Sequence, residues 1–147
     1  MPKKPLPYLL AAVLCEKVLQ EKDETLTAVR IVDRLQYRIA GEGLPPGTKP
    51  VIAMQGLLVL RSGPVTGEHL IKIVGEKPDG TRKDLYTTPV NFLGKDKGQN
   101  IILNMGVGID QNGLYWFDVF FDEELLTRIP LIVNPLPPQE SEEPESP

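Results

Sequence analysis

The chain has 147 residues, of which 41% are hydrophobic and 24% are charged, as expected of one globular domain of ordinary size. The formal net charge is −4, but residues 140–147 carry four acids and no base, so residues 1–139 hold equal numbers of acidic and basic side chains. A domain with almost no net charge lacks the broad positive electrostatic potential that nucleic-acid binding requires. We therefore expect no nucleic-acid partner.

The single cysteine, Cys15, excludes an intrachain disulfide and favours a reducing compartment. The apolar run 8–15 follows two lysines and ends at this cysteine, which superficially resembles a lipoprotein signal. The run is short for a signal core, and Leu14 stands where a small residue is expected. No segment approaches the ~18 apolar residues of a membrane-spanning helix. We expect a cytoplasmic protein with no membrane partner.

The first predicted element is a long β-hairpin, which follows an N-terminal arm over residues 1–8. Residues 25–39 alternate between a mostly apolar face and a mostly polar face, which is the period of a strand. Residues 9–20 also fit a helical spacing of apolar side chains, but they lack an N-cap residue and are the only upstream partner for so long a strand. The pattern predicts two strands joined by the polar turn 21–24.

Turn-forming residues divide the middle of the chain. Six Gly and Pro residues in 40–50 predict an irregular crossing loop. Strands are predicted at 51–60, 67–76 and 81–87. The last two are joined through a Pro-Asp-Gly turn at 78–80, in which Gly takes the positive φ.

Three further strands are predicted at 99–109, 114–121 and 125–133. The first of them is apolar at its odd-numbered positions, and residues 110–113 are predicted to form a hairpin turn that joins it to the second, with Asn112 and Gly113 supplying the positive φ. Pro130 has no amide donor, so the last strand should lie at a sheet edge or carry a bulge there.

The full count is about eight short strands with frequent turn signals. This pattern predicts an all-β domain over residues 9–134, built as an antiparallel β-sandwich of immunoglobulin-like or C2-like type. The loop 40–50 suits a crossover between the two sheets. Residues 135–147 are rich in Pro and Glu, which predicts a disordered acidic tail.

Four short segments also carry a resemblance: Leu-Leu-Ala-Ala-Val-Leu-Cys-Glu at 9–16, Ile-Val-Asp-Arg at 31–34, Gly-Leu-Tyr-Trp-Phe-Asp-Val at 113–119 and Ile-Pro-Leu-Ile-Val at 129–133. Together they resemble a group of small bacterial β-sandwich proteins that carry a domain of unknown function. The resemblance implies a sandwich over about residues 8–133 and brings no established activity.

Few residues could carry catalysis or hold zinc. The sole histidine, His69, could pair with Cys15 as base and nucleophile, but no catalytic signature surrounds either residue. A surface histidine and a buried thiol are the plainer interpretation. Zinc needs three or four Cys or His ligands, and the chain has two such residues. We expect no catalytic residue, no metal and no cofactor.

Four oxygen-bearing residues stand in turns that could converge on a calcium ion. They are Asp79, Asp110, Asn112 and Asp122. Their spacing does not match a calcium-binding loop, and ordinary turn chemistry explains them without a metal.

The strand predicted over 25–39 has two unusual features. Asp33 falls on its apolar face, where an unpaired buried carboxylate would cost several kcal/mol. We favour a β-bulge that turns Asp33 outward over a buried ion pair. Arg30, Arg34 and Arg38 share the polar face, with neighbours about 13 Å apart at ~3.3 Å per residue. They form a candidate binding surface, and a solvated strand face is the plainer interpretation.

The strand predicted over 114–121 is apolar on both faces. Trp116 and Phe120 point opposite to Tyr115, Phe117, Val119 and Phe121. The core is the default position for such a strand, and a set that faces outward marks a dimer seam or a ligand-binding face.

We predict a non-catalytic β-sandwich protein that acts through protein–protein contact or self-assembly as a homo-oligomer. The alternative is a sandwich that binds a small molecule or carbohydrate through exposed aromatic side chains near Trp116. An enzyme is disfavoured because the sequence assembles neither a catalytic triad nor a metal set.

Overall fold

The computed structural model describes residues 5–37, 51–95 and 97–135, in which nine β-strands form two sheets. The strands are β1 (Tyr8–Gln20), β2 (Leu26–Val32), β3 (Arg34–Tyr37), β4 (Val51–Arg61), β5 (Gly67–Glu76), β6 (Arg82–Phe92), β7 (Gly98–Gly108), β8 (Gly113–Phe121) and β9 (Glu124–Pro135). Sheet A has the order β2-β1-β4-β7, and sheet B has the order β3-β9-β8-β5-β6. The predicted all-β sandwich is confirmed. The crossing loop 40–50 and residues 136–147 of the predicted tail lie outside the described residues.

The core lies between the sheets and is built by strand alternation. Leu58 and Leu60 of β4 share one fully buried cluster with Ile71, Val119 and Leu131 of sheet B. Completely burying a side chain of this size contributes about 1.5–3 kcal/mol. The odd-numbered residues of β7 face this core, as the alternation predicted.

The single strand predicted over 25–39 is wrong, because the chain changes sheets at Asp33. β2 pairs antiparallel with β1 in sheet A, whereas β3 pairs with β9 in sheet B. That second pair is parallel, so the sandwich is not purely antiparallel. Asp33 is exposed at the bend, and its carbonyl accepts a hydrogen bond from the Ile132 amide at 3.1 Å. The carboxylate is turned outward as we favoured, but by a sheet crossing rather than a bulge.

Proline positions agree with the sheet order. Pro130 faces Trp116 of β8, and β3 joins the other side of β9 only from Ile132 onward, so Pro130 lies at a local edge as predicted. β6 continues through Pro89 and is longer than the predicted strand 81–87. The Cα partner of Pro89, Leu70, directs both its N–H and its C=O toward Asp122, away from β6, so the missing amide of Pro89 costs no ladder hydrogen bond.

Of the two predicted hairpin turns, the turn at 78–80 is confirmed and the one at 110–113 is wrong, because β7 pairs with β4 in sheet A whereas β8 pairs with β5 and β9 in sheet B. Gly80 has a φ of 91°, and the Asp79 carboxylate accepts a hydrogen bond from the Thr81 amide at 2.9 Å. Gly113 has a φ of 129°, and a Cβ there would lie 3.2 Å from the ring of Pro78. Glycine is needed at both positions because L side chains rarely adopt these φ values.

A second, smaller apolar cluster lies apart from the main core. Its buried members are Cys15, Val18 and Leu57, and the half-buried Ile102 of β7 packs against them. Leu57 and Ile102 are Cα partners in the β4–β7 ladder, so this cluster reaches the outermost strand of sheet A. None of the described residues belongs to a helix that is long and apolar enough to cross a membrane.

Candidate functional site

The outward face of sheet B carries the even-numbered side chains of β8. Tyr115, Phe117, Val119 and Phe121 are buried in the core, whereas Trp116 and Phe120 lie half-buried on the opposite face. The predicted division of this strand into two faces is therefore confirmed. Asp118 lies between the two outward aromatic residues.

Asp118 is the centre of an ion-pair network that crosses four strands. Its side chain is 5% exposed and accepts hydrogen bonds from Arg128 Nε at 2.7 Å and from Arg82 Nη1 at 3.0 Å. Arg82 Nη1 also donates to Glu76 Oε1 at 2.6 Å, and Arg128 Nη2 lies 3.5 Å from the same oxygen. The bonds to Glu76 and Asp118 raise the pKa of Arg82 above its ordinary value. Two acids and two bases thus neutralise each other across β6, β5, β8 and β9.

Trp116 is engaged by this network. The guanidinium carbon of Arg128 lies 4.4 Å from the centre of its ring, which is a cation–π contact. One face of the indole is therefore covered by a side chain of the same sheet. The other aromatic residue predicted as part of a binding surface, Phe120, lines an open groove.

The groove has a volume of about 850 Å³ and lies beside the network. Its apolar part includes Phe120 and Leu70, which is 49% exposed. Its charged part includes Arg82 and an ion pair between Lys72 and Asp84 with an N–O distance of 3.2 Å. Asp122 and Glu123 also line the groove, so its border carries charges of both signs. An apolar surface with such a border suits a polar ligand that carries little net charge itself.

His69 and Cys15 are not brought together. His69 Nδ1 lies 2.6 Å from Asp122 Oδ2, and its Nε2 lies 2.8 Å from the carbonyl of Thr66. Cys15 belongs to the small cluster of sheet A, where its Sγ donates weakly to the carbonyl of Lys17 at 3.6 Å. Burial raises the pKa of the Cys15 thiol, which opposes formation of a nucleophilic thiolate.

The turn acids are engaged in separate contacts. Asp79 accepts hydrogen bonds from Thr81 and Gln111, and these bonds lower its pKa. Asp110 accepts one from Lys77 Nζ at 2.8 Å, whereas Asp122 binds His69. Across residues 5–37, 51–95 and 97–135, no three Cys, His, Asp or Glu side chains form a group that could hold a metal ion.

The predicted arginine surface is wrong as a single strand face. Arg30 lies on β2 in sheet A, and Arg34 lies on β3 in sheet B, because the chain changes sheets between them. Arg30 also has a φ of 57°, which breaks the alternation of β2. Arg38 lies outside the described residues.

The feature that sequence reasoning missed is the outer edge of β7. This strand spans eleven residues, pairs along its whole length with β4, and is the last described strand of sheet A. The three other edge strands, among the residues that the structure describes, have protective features. β6 contains charges, Pro89 and a bulge; β2 contains Arg30; and β3 is four residues long. β7 contains neither a charged residue nor proline.

Residues 10–134 match the model of a family described as a family of unknown function, DUF6941. The chain belongs to this family. The membership agrees with the resemblance to proteins that carry a domain of unknown function, and it assigns no activity. No curated protein matches the chain in sequence.

Solved structures share the fold. A β-glucosidase from Listeria innocua matches 89% of this chain with a TM-score of 0.53 and 7% identity, and the match covers 16% of that enzyme. The same enzyme in complex with isofagomine matches 86% of this chain and 16% of its own length, with a TM-score of 0.50 and 8% identity. β-Glucosidase 3B from Thermotoga neapolitana, in complex with α-D-glucose, matches 59% of this chain and 15% of its own length, with a TM-score of 0.47 and 11% identity. The chain thus spans about a sixth of these enzymes, and the Listeria likeness shows a shared fold alone.

Proposed function

We propose that this protein acts without catalysis, through a protein–protein contact in which an extended strand of a partner pairs with the outer edge of β7, which no other described strand pairs with. The observation that carries the proposal is the composition of that edge. Eleven consecutive residues, Gly98–Gly108, contain no charge and no proline.

An edge strand presents backbone N–H and C=O groups that another strand can bind. Proteins that avoid such pairing interrupt the edge with charge, proline or bulges, as β6 does with Arg82, Lys83, Asp84 and Pro89. The absence of these features on β7 supports its use as an acceptor strand, since main-chain hydrogen bonds supply the affinity in strand addition.

The edge is also held in place before a partner arrives. Every residue of β7 has a Cα partner on β4, and the inward side chains Leu103, Met105 and Val107 are buried in the core. A strand that is already ordered loses little conformational entropy when a second strand binds to it.

Site-specific photo-cross-linking in the host tests this proposal. A photoreactive residue is placed at Asn104 on β7 and, as control, at Thr27 on β2; both positions are exposed. We expect an adduct at position 104 alone, identified by mass spectrometry. The purified partner should then protect β7 amides from hydrogen exchange. Equal adducts at both positions, or unchanged exchange in β7, would contradict the proposal.

A second candidate function, binding of a small neutral ligand such as a carbohydrate, is favoured by the groove beside Phe120. An aromatic side chain can contact the C–H face of a sugar, and the acidic and basic side chains beside it can bind the sugar hydroxyls. Calorimetric titration with a panel of mono- and oligosaccharides tests it. We expect Phe120→Ala to abolish binding and Leu114→Ala, on the same strand face, to preserve it. A panel without any binder would contradict this function.

A cytoplasmic location belongs to the same proposal. It is supported by the lone free thiol, Cys15, which is fully buried.

A further inference from the structure

We infer that the strand added to β7 is the β7 of a second copy of this chain, paired antiparallel about a two-fold axis at Ile102. This inference rests on the proposed use of the β7 edge and names its partner. The result is one continuous eight-stranded sheet, with the order β2-β1-β4-β7 followed by the same strands of the second copy in reverse.

Charge supports self-pairing. When a strand pairs with its own copy about a two-fold axis, the same stretch of sequence supplies both sides of the seam, so charges of one sign concentrated in that stretch repel each other. β7 carries no charged side chain, so no antiparallel register of the pair brings charges of one sign together. Self-pairing at the charged end of β6 would instead bring Arg82 and Lys83 close to the same residues of the second copy.

The side-chain pattern selects the register. Opposed side chains in a sheet lie on the same face, so the two-fold axis must pass through a residue. With Ile102 at the axis, Ile102 faces its own copy, Asn100 faces Asn104, and Ile101 faces Leu103. Moving the axis by one residue in either direction places Ile102 opposite an asparagine. Of the registers centred on Ile101, Ile102 and Leu103, only the Ile102 register places the outward Ile102 opposite itself and the outward Asn100 opposite Asn104. On the inward face this register places Ile101 opposite Leu103 and Gln99 opposite Met105.

The same register joins two apolar clusters. Ile102 packs with the small cluster of sheet A and is the Cα partner of Leu57, which is 7% exposed. Pairing at Ile102 therefore continues the row from Leu57 through Ile102 into the second copy. The half-buried Ile102 side chain gains apolar contact across the seam, which adds to the main-chain hydrogen bonds.

A charge-reversal pair tests the inference with two exposed positions, Asn100 and Asn104. The variant N100K/N104K places lysines opposite each other twice, whereas N100K/N104E places lysine opposite glutamate twice. Analytical ultracentrifugation over a concentration series should show a wild-type dimer. N100K/N104K should raise the dimer dissociation constant by about tenfold or more, and N100K/N104E should remain dimeric. Circular dichroism checks that both variants fold.

Cysteine cross-linking tests the register. Ile102→Cys should form a disulfide-linked dimer by itself, because the residue faces its own copy. Asn100→Cys and Asn104→Cys should cross-link only when the two variants are mixed. The native Cys15 is fully buried and serves as an internal control. A wild-type dimer in which Asn100→Cys links to itself would overturn the Ile102 register.

The outcomes separate this inference from the proposed function. A wild-type chain that stays monomeric over the whole concentration series, or a dimer unaffected by N100K/N104K, overturns the self-pairing. If a different protein is then cross-linked at Asn104 and protects β7, strand addition at this edge still stands. A monomer with no specific adduct at Asn104 contradicts both.

Discussion

The carboxylate of Asp118 accepts a hydrogen bond from Nε of Arg128 at 2.7 Å on the outward face of sheet B. A second arginine, Arg82, binds the other carboxylate oxygen at 3.0 Å. Asp118 is almost fully buried although it faces away from the core, because the two arginines and their neighbours cover it. The network therefore connects the two halves of sheet B through side chains.

Replacing Asp118 by asparagine should destabilise the fold. The amide nitrogen of asparagine would face a guanidinium donor, and a hydrogen bond to a charged group is worth about 1.5–3 kcal/mol. We expect Asp118→Asn to lower the free energy of unfolding by that amount in urea denaturation. Glu76→Gln is the matched control. Glu76 binds the same two arginines, but its side chain is 26% exposed against 5% for Asp118, so its loss should stay below about 1 kcal/mol. An equal loss would contradict the central place of Asp118.

Glycine at position 123 should stabilise the protein. Glu123 is exposed and has a φ of 129°, a region that L side chains rarely adopt. Relief of that strain should outweigh the added chain entropy, so we expect Glu123→Gly to raise the free energy of unfolding by about 0.5–1 kcal/mol. Glu124→Gly, at the start of β9, should lower it by about 0.5–1 kcal/mol. Thermal unfolding of both variants measures the contrast, and two losses of similar size would refute it.

Tyr115 should contribute stability that depends on alkaline pH. Its hydroxyl donates to the Gln111 carbonyl at 2.9 Å and accepts from the Gln111 amide at 3.2 Å. Burial raises the pKa of Tyr115, so its contribution is present below the ordinary tyrosine value of about 10 and is lost as pH rises through the raised value. We expect Tyr115→Phe to cost about 1–2 kcal/mol at pH 7.

The wild-type advantage over Tyr115→Phe should shrink as unfolding is measured at successively higher pH above 10. A constant difference between wild type and Tyr115→Phe up to pH 11 would contradict the assignment.

The Cys15 thiol should be inert in the folded protein. The side chain is fully buried and burial raises its pKa, so both access and thiolate fraction are low. We expect reaction with a thiol reagent such as DTNB at pH 8 to be at least about 100-fold slower than in urea-unfolded protein. Rapid labelling of the native protein would show that β1 opens locally at this position.

Local sequence patterns predicted most of the strands and turns correctly. The odd-numbered residues of β7 and the buried face of β8 follow directly from alternation, since each depends only on near neighbours in the chain. The positive φ values of Gly80 and Gly113 were predictable in the same way, because a positive φ selects glycine whatever surrounds it. That residues 110–113 cross from sheet A to sheet B, instead of forming a hairpin, was not predictable from these residues.

The predictions were wrong where they depended on which strands pair with each other. The period of two continued through Asp33, yet the chain leaves β1 there and joins β9, which lies about a hundred residues further along. For this reason Arg30 and Arg34 lie in different sheets and do not form one surface. Arg82 and Asp118 meet across 36 residues of sequence, and no local pattern indicates their contact.

The sequence by itself determined an all-β chain, the faces of its strands and an eleven-residue segment without charge, because these are properties of a residue and its immediate neighbours. Only the tertiary structure decided that, among the described strands, this segment is the outermost one of sheet A and that its Ile102 packs against the small apolar cluster. Edge position is set by the order in which strands pair, which depends on contacts between distant residues. An uncharged strand is ordinary in the middle of a sheet, and at its edge it becomes a surface that can bind another strand.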